Sequence, residues 1–191
     1  LPVDEKICSF NCIYCECGFN FTKKNAHIPT REEVRVALEE ALYNMKQKGE
    51  KPDVITFAGN GEPTLHKEFN GIIDDTIALR NKYFPTAKVS VLSNSTEIGK
   101  DSVFEALNKV DNNILKLDSA IETSVELMNQ PNAKSFTVKK LIESLKRFKG
   151  NLIVQTMFLR GEYCGRTIDN TTEEEINAWL QALLEIKPKQ V

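Results

Sequence analysis

The chain has 191 residues, in which 25 Lys and Arg oppose 27 Asp and Glu for a formal net charge of -2 at pH 7. This length suits one domain, and a composition of 41% hydrophobic and 27% charged residues excludes disordered and fibrous proteins. The balanced charge excludes a general basic field for nucleic acids, and no apolar run approaches the roughly 18 residues of a membrane span. We therefore expect one soluble, cytoplasmic enzyme or binding domain over residues 1–191, with no membrane partner.

Amphipathic helices and short apolar strands alternate along the chain. Thr30 and Glu33 have the spacing of a helix capping box, and the apolar residues that follow keep a helical period until Gly49. Short runs rich in β-branched and aromatic residues separate this helix from similar segments. The predicted elements, in chain order, are a helix over 31–48, a strand over 54–58, a helix from 69 that ends before Pro85, a strand over 88–92, a helix over 101–107, a strand over 113–117, a helix over 137–148, a strand over 152–158 and a helix over 173–186.

This alternation predicts the α/β class, because helices between strands form right-handed βαβ units with a parallel sheet and outer helices. The periodicity does not distinguish a closed barrel from an open sheet, but both place ligands at the carboxyl ends of the strands. We therefore expect the site in the loops at 58–64, 92–96, 116–119 and 160–162. Few residues precede the first cysteine, and 188–191 reads like the approach to another strand, so we expect a domain truncated at one or both ends.

Four of the five cysteines crowd into the segment 8–17. They are too close for a disulfide framework, and the odd total, with Cys164 alone, is typical of a reducing compartment with metal or redox chemistry. Cys8, Cys12 and Cys15 have C-x3-C-x2-C spacing, which lets one loop surround a polynuclear metal centre. Three ligands leave one metal site open, and an open site can bind a substrate or cofactor directly.

Two motifs together resemble those of the radical S-adenosylmethionine (SAM) superfamily. The cysteine spacing with the aromatic Tyr14 just before Cys15 is similar to the family's cluster motif, and Gly-Asn-Gly-Glu-Pro at 59–63 resembles its glycine–glycine–glutamate motif. The order and spacing of the predicted strands are similar to the family's partial, TIM-type (βα)6 barrel over nearly the whole chain. The chain resembles the branch that includes molybdopterin-precursor cyclases, activating enzymes and tRNA wybutosine synthases.

The resemblance implies two cofactors and a reaction. Cys8, Cys12 and Cys15 would hold a 4Fe-4S cluster, and the amino and carboxylate groups of SAM would chelate its fourth iron. An electron from a donor such as flavodoxin or ferredoxin would cleave SAM to methionine and a 5'-deoxyadenosyl radical that abstracts hydrogen from a substrate. The cofactors supply this chemistry, while the protein orients SAM, excludes solvent and positions the substrate. The substrate itself, whether small molecule, peptide or RNA, stays open.

The resemblance also assigns residues to SAM. Glu62 would accept a hydrogen bond from the SAM ammonium, and Gly61 would let the backbone approach the ligand. Lys116 and Asp118 share one face of a strand. The remaining assignments are Gly59 beside the ligand, backbone atoms of Tyr14 at the adenine, Ser93 and Asn94 at the ribose or carboxylate, Lys116 at the SAM carboxylate, Asp118 at the ribose or substrate, and Gln155 as a further candidate.

Two other interpretations remain open. The first is a non-catalytic zinc or iron–sulfur binding module, in which Cys17 is the fourth thiolate beside Cys8, Cys12 and Cys15 and closes the site. The second is a tRNA-modifying enzyme that uses the same radical chemistry, for which tRNA binding should weaken steeply with salt.

Overall fold

A parallel sheet of four strands organises the protein, which is described here from a computed structural model covering residues 5–20 and 27–191. The strands are β1 (Val54–Phe57), β2 (Lys88–Ser93), β3 (Asn112–Lys116) and β4 (Ile153–Gln155), and they lie side by side in chain order. Each pairs in parallel with the next. Their carboxyl ends therefore meet at one edge of the sheet, as the sequence predicts.

Six α-helices accompany the sheet within the described residues: α1 (Arg31–Lys48), α2 (Phe69–Tyr83), α3 (Asp101–Lys109), α4 (Glu122–Met128), α5 (Val138–Lys146) and α6 (Glu173–Ile186). The predicted capping box begins α1, with Thr30 and Glu33 bonded reciprocally, and Gly49 ends it in the left-handed conformation. The α/β class with helices outside a parallel sheet is confirmed. None of these helices combines the length and the apolar character that a membrane crossing requires.

Isolated parallel bridges extend the strand order at both edges. Ile7 pairs with Gly61, just beyond the end of β1, and Gln190 pairs with Ile153 of β4. The bridge at Ile7 matters most for the site, because it brings the start of the cysteine loop to the carboxyl end of β1.

The core lies between the sheet and its helices. Val89 and Val91 of β2 and Leu115 of β3 have no exposed surface. They pack with side chains from α2, α3 and α5 in one continuous cluster. A smaller cluster around Leu42 joins α1 to α2. This burial of apolar surface fixes the strand ends relative to one another, and with them the loops that carry the polar side chains.

Two regions differ from the expected strand–helix alternation. Helix α4 escapes prediction because it is only 7 residues long and its N-cap, Ile121, supplies no side-chain hydrogen bond to mark its start. The segment 160–162, expected as a strand-to-helix loop, belongs to an antiparallel hairpin of β5 (Arg160–Tyr163) and β6 (Arg166–Asp169). Cys164 and Gly165 form its two-residue turn with positive φ angles of 50° and 72°, the geometry that such hairpins favour.

Strand β4 is also shorter than the predicted 152–158. After Gln155 the chain leaves the sheet. Hydrogen bonds that involve side chains replace the backbone hydrogen bonds between neighbouring strands. Thr156 Oγ1 donates to Leu117 O at 2.7 Å, and Met157 N donates to Asp118 Oδ1 at 2.9 Å.

Candidate active site

The strand ends and the cysteine loop enclose one cavity. All of the residues predicted from the sequence to form the site line it, with the exception of Asp118: Cys8, Cys12, Tyr14, Cys15, Gly59, Gly61, Glu62, Ser93, Asn94, Lys116 and Gln155. The lining is completed by Lys6, Phe10, Ala58 and Leu92. Residues that are distant in sequence thus share one concave surface, the arrangement typical of a ligand site.

Gly61 allows the cysteine loop to approach the end of β1. Ile7 N donates to Asn60 O at 3.1 Å, and Glu62 N donates to Ile7 O at 2.9 Å. Gly61 lies between these contacts with φ at 134°, and a Cβ atom there would stand 1.8 Å from Ile7 O. Only glycine fits, because any side chain would push the cysteine loop away from Glu62. Gly59 also has a positive φ of 113°, but a Cβ atom there would meet open space.

Glu62 is a buried carboxylate with an unusual set of partners. It is 2% exposed, and its Oε1 accepts from Thr64 N at 3.0 Å, Thr64 Oγ1 at 2.5 Å and Ser93 Oγ at 2.8 Å. Its Oε2 accepts from Asn94 N at 2.6 Å. Burial raises the pKa of Glu62, since desolvation outweighs these donors.

The charge of Glu62 is met by neutral groups alone. Within residues 5–20 and 27–191, no Lys or Arg forms an ion pair with it. A carboxylate has about four acceptor positions, and three of the four donors converge on Oε1. Oε2 therefore keeps the capacity to accept a further hydrogen bond from a cation that enters the cavity.

Asn94 directs its side chain at the cysteine loop. Its Nδ2 lies 3.3 Å from Cys8 Sγ and 2.8 Å from Ser9 Oγ. Its Oδ1 accepts from Thr96 N at 3.1 Å and from Thr96 Oγ1 at 2.8 Å. The side chain thus holds the loop that carries Cys8, and its contact with SAM stays a prediction.

The cysteine thiols lie in an environment that disfavours free thiolates. Burial raises the pKa of Cys8 and of Cys12, although amide donors from Asn94 and Asn129 act in the opposite direction. A bound metal reverses this preference, because a coordinating thiol is deprotonated. Cys17 is exposed and does not line the cavity; its Sγ lies 3.7 Å from Asn60 Oδ1.

Asp118 lies behind the cavity, at the centre of a buried polar network. Its side chain has no exposed surface, and Lys116 Nζ stands 3.4 Å from Oδ1. The Tyr14 hydroxyl donates a short hydrogen bond to Oδ2, and Asn129 Nδ2 donates to the same oxygen at 2.6 Å. Asp118 therefore supports residues that line the cavity without lining it itself, and its contact with the ribose or substrate stays a prediction.

Lys116 connects this network to the cavity. Its Nζ lies 5.3 Å from the centroid of the Tyr14 ring, a cation–π distance, and its side chain is 18% exposed. Burial, followed by the charge of Asp118, raises the pKa of the Tyr14 hydroxyl, so this group remains a hydrogen-bond donor. Tyr14 therefore has a side-chain role in fixing Lys116 and Asp118, in addition to its predicted backbone contact with adenine.

The segment 128–132, at the end of α4, holds the other side of the cysteine loop. Three backbone hydrogen bonds join them: Ile13 N to Met128 O, Asn11 N to Asn129 O and Asn132 N to Ser9 O, each at 2.9 Å. No motif in the sequence predicts this segment as part of the site. The available signal was the Asn-Gln-Pro run at 129–131, which is typical of a helix end.

The donor set fits an iron–sulfur cluster that keeps one iron open. Cys8, Cys12 and Cys15 line one cavity and supply three thiolates, the ligands that such clusters prefer. In the described part of the chain, no three His, Cys, Asp or Glu side chains converge closely enough for a single metal ion. A cluster is larger than a single ion, and its thiolates bind different irons, so they need not converge on one point.

A match to a protein-family model supports the interpretation of this cavity as a site for a cluster and SAM. The family model described as the radical SAM superfamily matches residues 6–164, a span that includes the cysteine loop and all four strands of the parallel sheet. The chain belongs to the radical SAM superfamily. Membership of this superfamily implies that the cofactors are a 4Fe-4S cluster and SAM.

Similar proteins are longer than this chain. A UPF0026 protein of Synechocystis sp. is 31% identical over 189 residues, covering 96% of this chain and 64% of that protein. A UPF0026 protein of Methanocaldococcus jannaschii is 30% identical over 181 residues, covering 90% of this chain and 54% of that protein. A protein named GTPase Obg of Brachyspira hyodysenteriae is 30% identical over 194 residues, covering 99% of this chain and 26% of that protein. The chain thus spans between 26% and 64% of the length of these relatives.

Solved structures share the fold at low sequence identity. Streptococcus suis SuiB bound to S-adenosylmethionine has a TM-score of 0.63 at 18% identity, covering 96% of this chain and 37% of SuiB. TYW1 with a lysine–pyruvate adduct bound has a TM-score of 0.64 at 15% identity, covering 96% of this chain and 59% of TYW1. These likenesses extend the fold assignment to nearly the whole chain.

Proposed function

We propose that this chain forms the catalytic core of a radical SAM enzyme in which Cys8, Cys12 and Cys15 bind the 4Fe-4S cluster. The cofactors, when bound, supply reductive cleavage of SAM and a 5'-deoxyadenosyl radical that abstracts hydrogen from the substrate. The supporting observation is the convergence of the three thiols and the partly unsatisfied Glu62 carboxylate on one cavity.

The charges around the cavity match the amino-acid part of SAM, which carries an ammonium and a carboxylate. Glu62 accepts from the ammonium, since its Oε2 has spare acceptor capacity and its charge has no cationic partner among the described residues. Lys116, at the end of β3, faces the carboxylate of SAM. Asp118 Oδ1 lies 3.4 Å from Lys116 Nζ and holds this side chain in place. These two side chains orient SAM by charge-assisted hydrogen bonds.

Apolar side chains keep water from the reacting atoms. Phe10 and Leu92 line the cavity beside the thiols, and Phe10 is 2% exposed. This apolar lining excludes water, which strengthens the electrostatic contacts of Glu62 and Lys116 and protects a radical from side reactions. The electron donor in this proposal is a reduced flavodoxin or ferredoxin.

The alternative of a closed zinc site has little support from the position of Cys17. Its thiol is exposed and lies outside the cavity that the other three cysteines share. Cys17 is therefore the matched control for the cluster cysteines, because it belongs to the same loop.

The test is anaerobic reconstitution with iron and sulfide, followed by reduction with dithionite in the presence of SAM. We expect the wild-type chain to bind about four irons and to release 5'-deoxyadenosine. Cys12→Ala should lose both, while Cys17→Ala should keep both. Product formation by Cys12→Ala, or loss of iron from Cys17→Ala with tight zinc binding by the wild type, would overturn the proposal.

A further inference from the structure

Asn129 places an amide against one of the proposed cluster ligands. It is 2% exposed, and its Nδ2 lies 3.4 Å from Cys12 Sγ. The same nitrogen lies 2.6 Å from Asp118 Oδ2 and 2.9 Å from the Tyr14 hydroxyl oxygen. One buried NH2 group, with two hydrogens, thus lies within reach of three acceptors at the base of the cysteine loop.

The chemistry of these neighbours fixes the orientation of the amide. An ionised carboxylate only accepts hydrogen bonds, so the atom of Asn129 beside Asp118 must be the nitrogen and not the oxygen. One amide hydrogen points to Asp118, which leaves the second for Cys12 Sγ or the Tyr14 oxygen. A thiolate that carries negative charge is the stronger acceptor of these two.

The backbone of Asn129 holds the amide in register with the sulfur. Its carbonyl accepts from Asn11 N at 2.9 Å, immediately before Cys12 in the chain. The backbone and the side chain of one residue therefore contact both the loop and the thiol, which anchors the backbone of Asn129 close to Cys12.

We propose, on the basis of the function proposed above, that Asn129 is a positioning residue that raises the reduction potential of the cluster through its hydrogen bond to Cys12 Sγ. Reduction adds one electron, delivered by a low-potential donor such as reduced flavodoxin or ferredoxin, and no bond or proton is exchanged in this step. The added negative charge spreads onto the thiolates, where an N–H donor stabilises it. Hydrogen bonds to cluster sulfurs are among the features that set such potentials.

The test is a redox titration of reconstituted Asn129→Leu, monitored by electron paramagnetic resonance of the reduced cluster. Leucine has a similar volume but donates no hydrogen bond. We expect full iron content and, at the wild-type midpoint potential, a ratio of reduced to oxidised cluster that is lower by about three- to tenfold, the effect of one hydrogen bond. This readout needs no substrate and no turnover.

Asn132→Ala is the matched control. Asn132 lies in the same segment and donates to Cys8 O at 3.0 Å, so it holds the loop backbone without a hydrogen bond to sulfur. We expect its midpoint potential to equal that of the wild type. Equal shifts in both variants, or no shift in Asn129→Leu, would show that the amide acts only on the loop and would overturn the inference.

A second variant tests the inference if Asn129→Leu fails to fold. Asn129→Ser shortens the side chain, so that its hydroxyl no longer reaches Cys12 Sγ, and it should lower the potential in the same direction. If neither Asn129 variant binds iron while Asn132→Ala does, Asn129 is structural and the inference fails. If the wild type itself binds no cluster, the failure lies with the proposed function.

Discussion

Two buried carboxylates flank the cysteine loop, and they differ in what neutralises them. Glu62 is 2% exposed and Asp118 is 3% exposed. Glu62 accepts from backbone N–H and hydroxyl groups, all of them neutral. Asp118 accepts from Lys116 as well as from Tyr14 and Asn129. Burial alone therefore does not identify a ligand-binding carboxylate. Glu62 lines the cavity and has no cationic partner among the described residues, so it is the carboxylate that can accept a ligand ammonium.

The largest effect should come from Asp118→Asn. The change leaves the partly buried Lys116 ammonium without its partner, and breaking such a pair from one side costs about 3–5 kcal/mol of the free energy of unfolding. Urea unfolding of the apo chain measures this loss. Asp101→Asn is the control, because Asp101 is 84% exposed in its ion pair with Arg147 and surface pairs contribute about 0–1 kcal/mol. Similar losses in the two variants would remove the structural role given to Asp118.

Glu62→Gln should weaken SAM binding and also lower stability, because the amide nitrogen of glutamine would face a donor that the carboxylate now accepts from, such as Asn94 N. Glutamine keeps the shape of the side chain but not the charge, so SAM should bind the reconstituted chain about 10–100-fold more weakly, as expected for a lost charge-assisted contact. Equilibrium dialysis without reductant measures the dissociation constant, and the iron content should not change. Glu16→Gln is the control, since Glu16 is exposed on the cysteine loop outside the cavity. Unchanged SAM affinity in Glu62→Gln would break the contrast between the two carboxylates.

The surroundings of Glu62 can be predicted from the sequence because their signals are local. The cysteine spacing, the Gly-Asn-Gly-Glu run and the polar Ser93 and Asn94 each follow a predictable strand or open a loop. Since parallel strands end at one edge, the sequence also predicts that these segments meet. The structure brings them to one cavity, as expected.

The surroundings of Asp118 could not be predicted from the sequence, because its signals are not local. Its partners Tyr14 and Asn129 come from segments that only the tertiary fold brings together, and Asn129 follows a helix without a capping motif. The sequence places Asp118 at a strand end, which is correct, but the number of donors around a carboxylate is a property of the folded chain. The sequence predicts Asp118 as a ribose or substrate contact; the structure places it behind the residues that line the cavity, and that contact stays a prediction.

The two glycines before Glu62 provide a finer test of how it reaches the cavity. Gly61→Ala should destabilise the chain by about 1–3 kcal/mol more than Gly59→Ala, the usual cost of overpacking, because a Cβ at Gly61 would meet Ile7 O whereas one at Gly59 meets nothing within 4 Å. Both positions have positive φ, so the pair separates steric conflict from backbone strain. Thermal unfolding of the two variants measures the difference. Equal losses would mean that the close approach of Ile7 is dispensable.

The smallest effect concerns pH, and its sign follows from the raised pKa of Glu62. Because this pKa lies above its ordinary value of 4.5, the folded chain binds the proton more tightly than the unfolded chain does. The contribution of Glu62 to the free energy of unfolding is therefore fully present below pH 4.5 and is lost as the pH rises through the folded pKa. SAM affinity should change in the opposite direction, since only the ionised carboxylate attracts the ammonium.

Urea unfolding of the apo chain and SAM titration of the reconstituted chain, each between about pH 5 and pH 8, measure these two slopes. Glu62→Gln should remove the Glu62 contribution from both. The Asp118→Asn variant should keep both, because the charge of Asp118 is already paired with Lys116 in the folded chain. If Glu62→Gln retains the wild-type dependence of SAM affinity on pH, another group controls the entry of the ammonium, and the distinction between the two carboxylates does not extend to ligand binding.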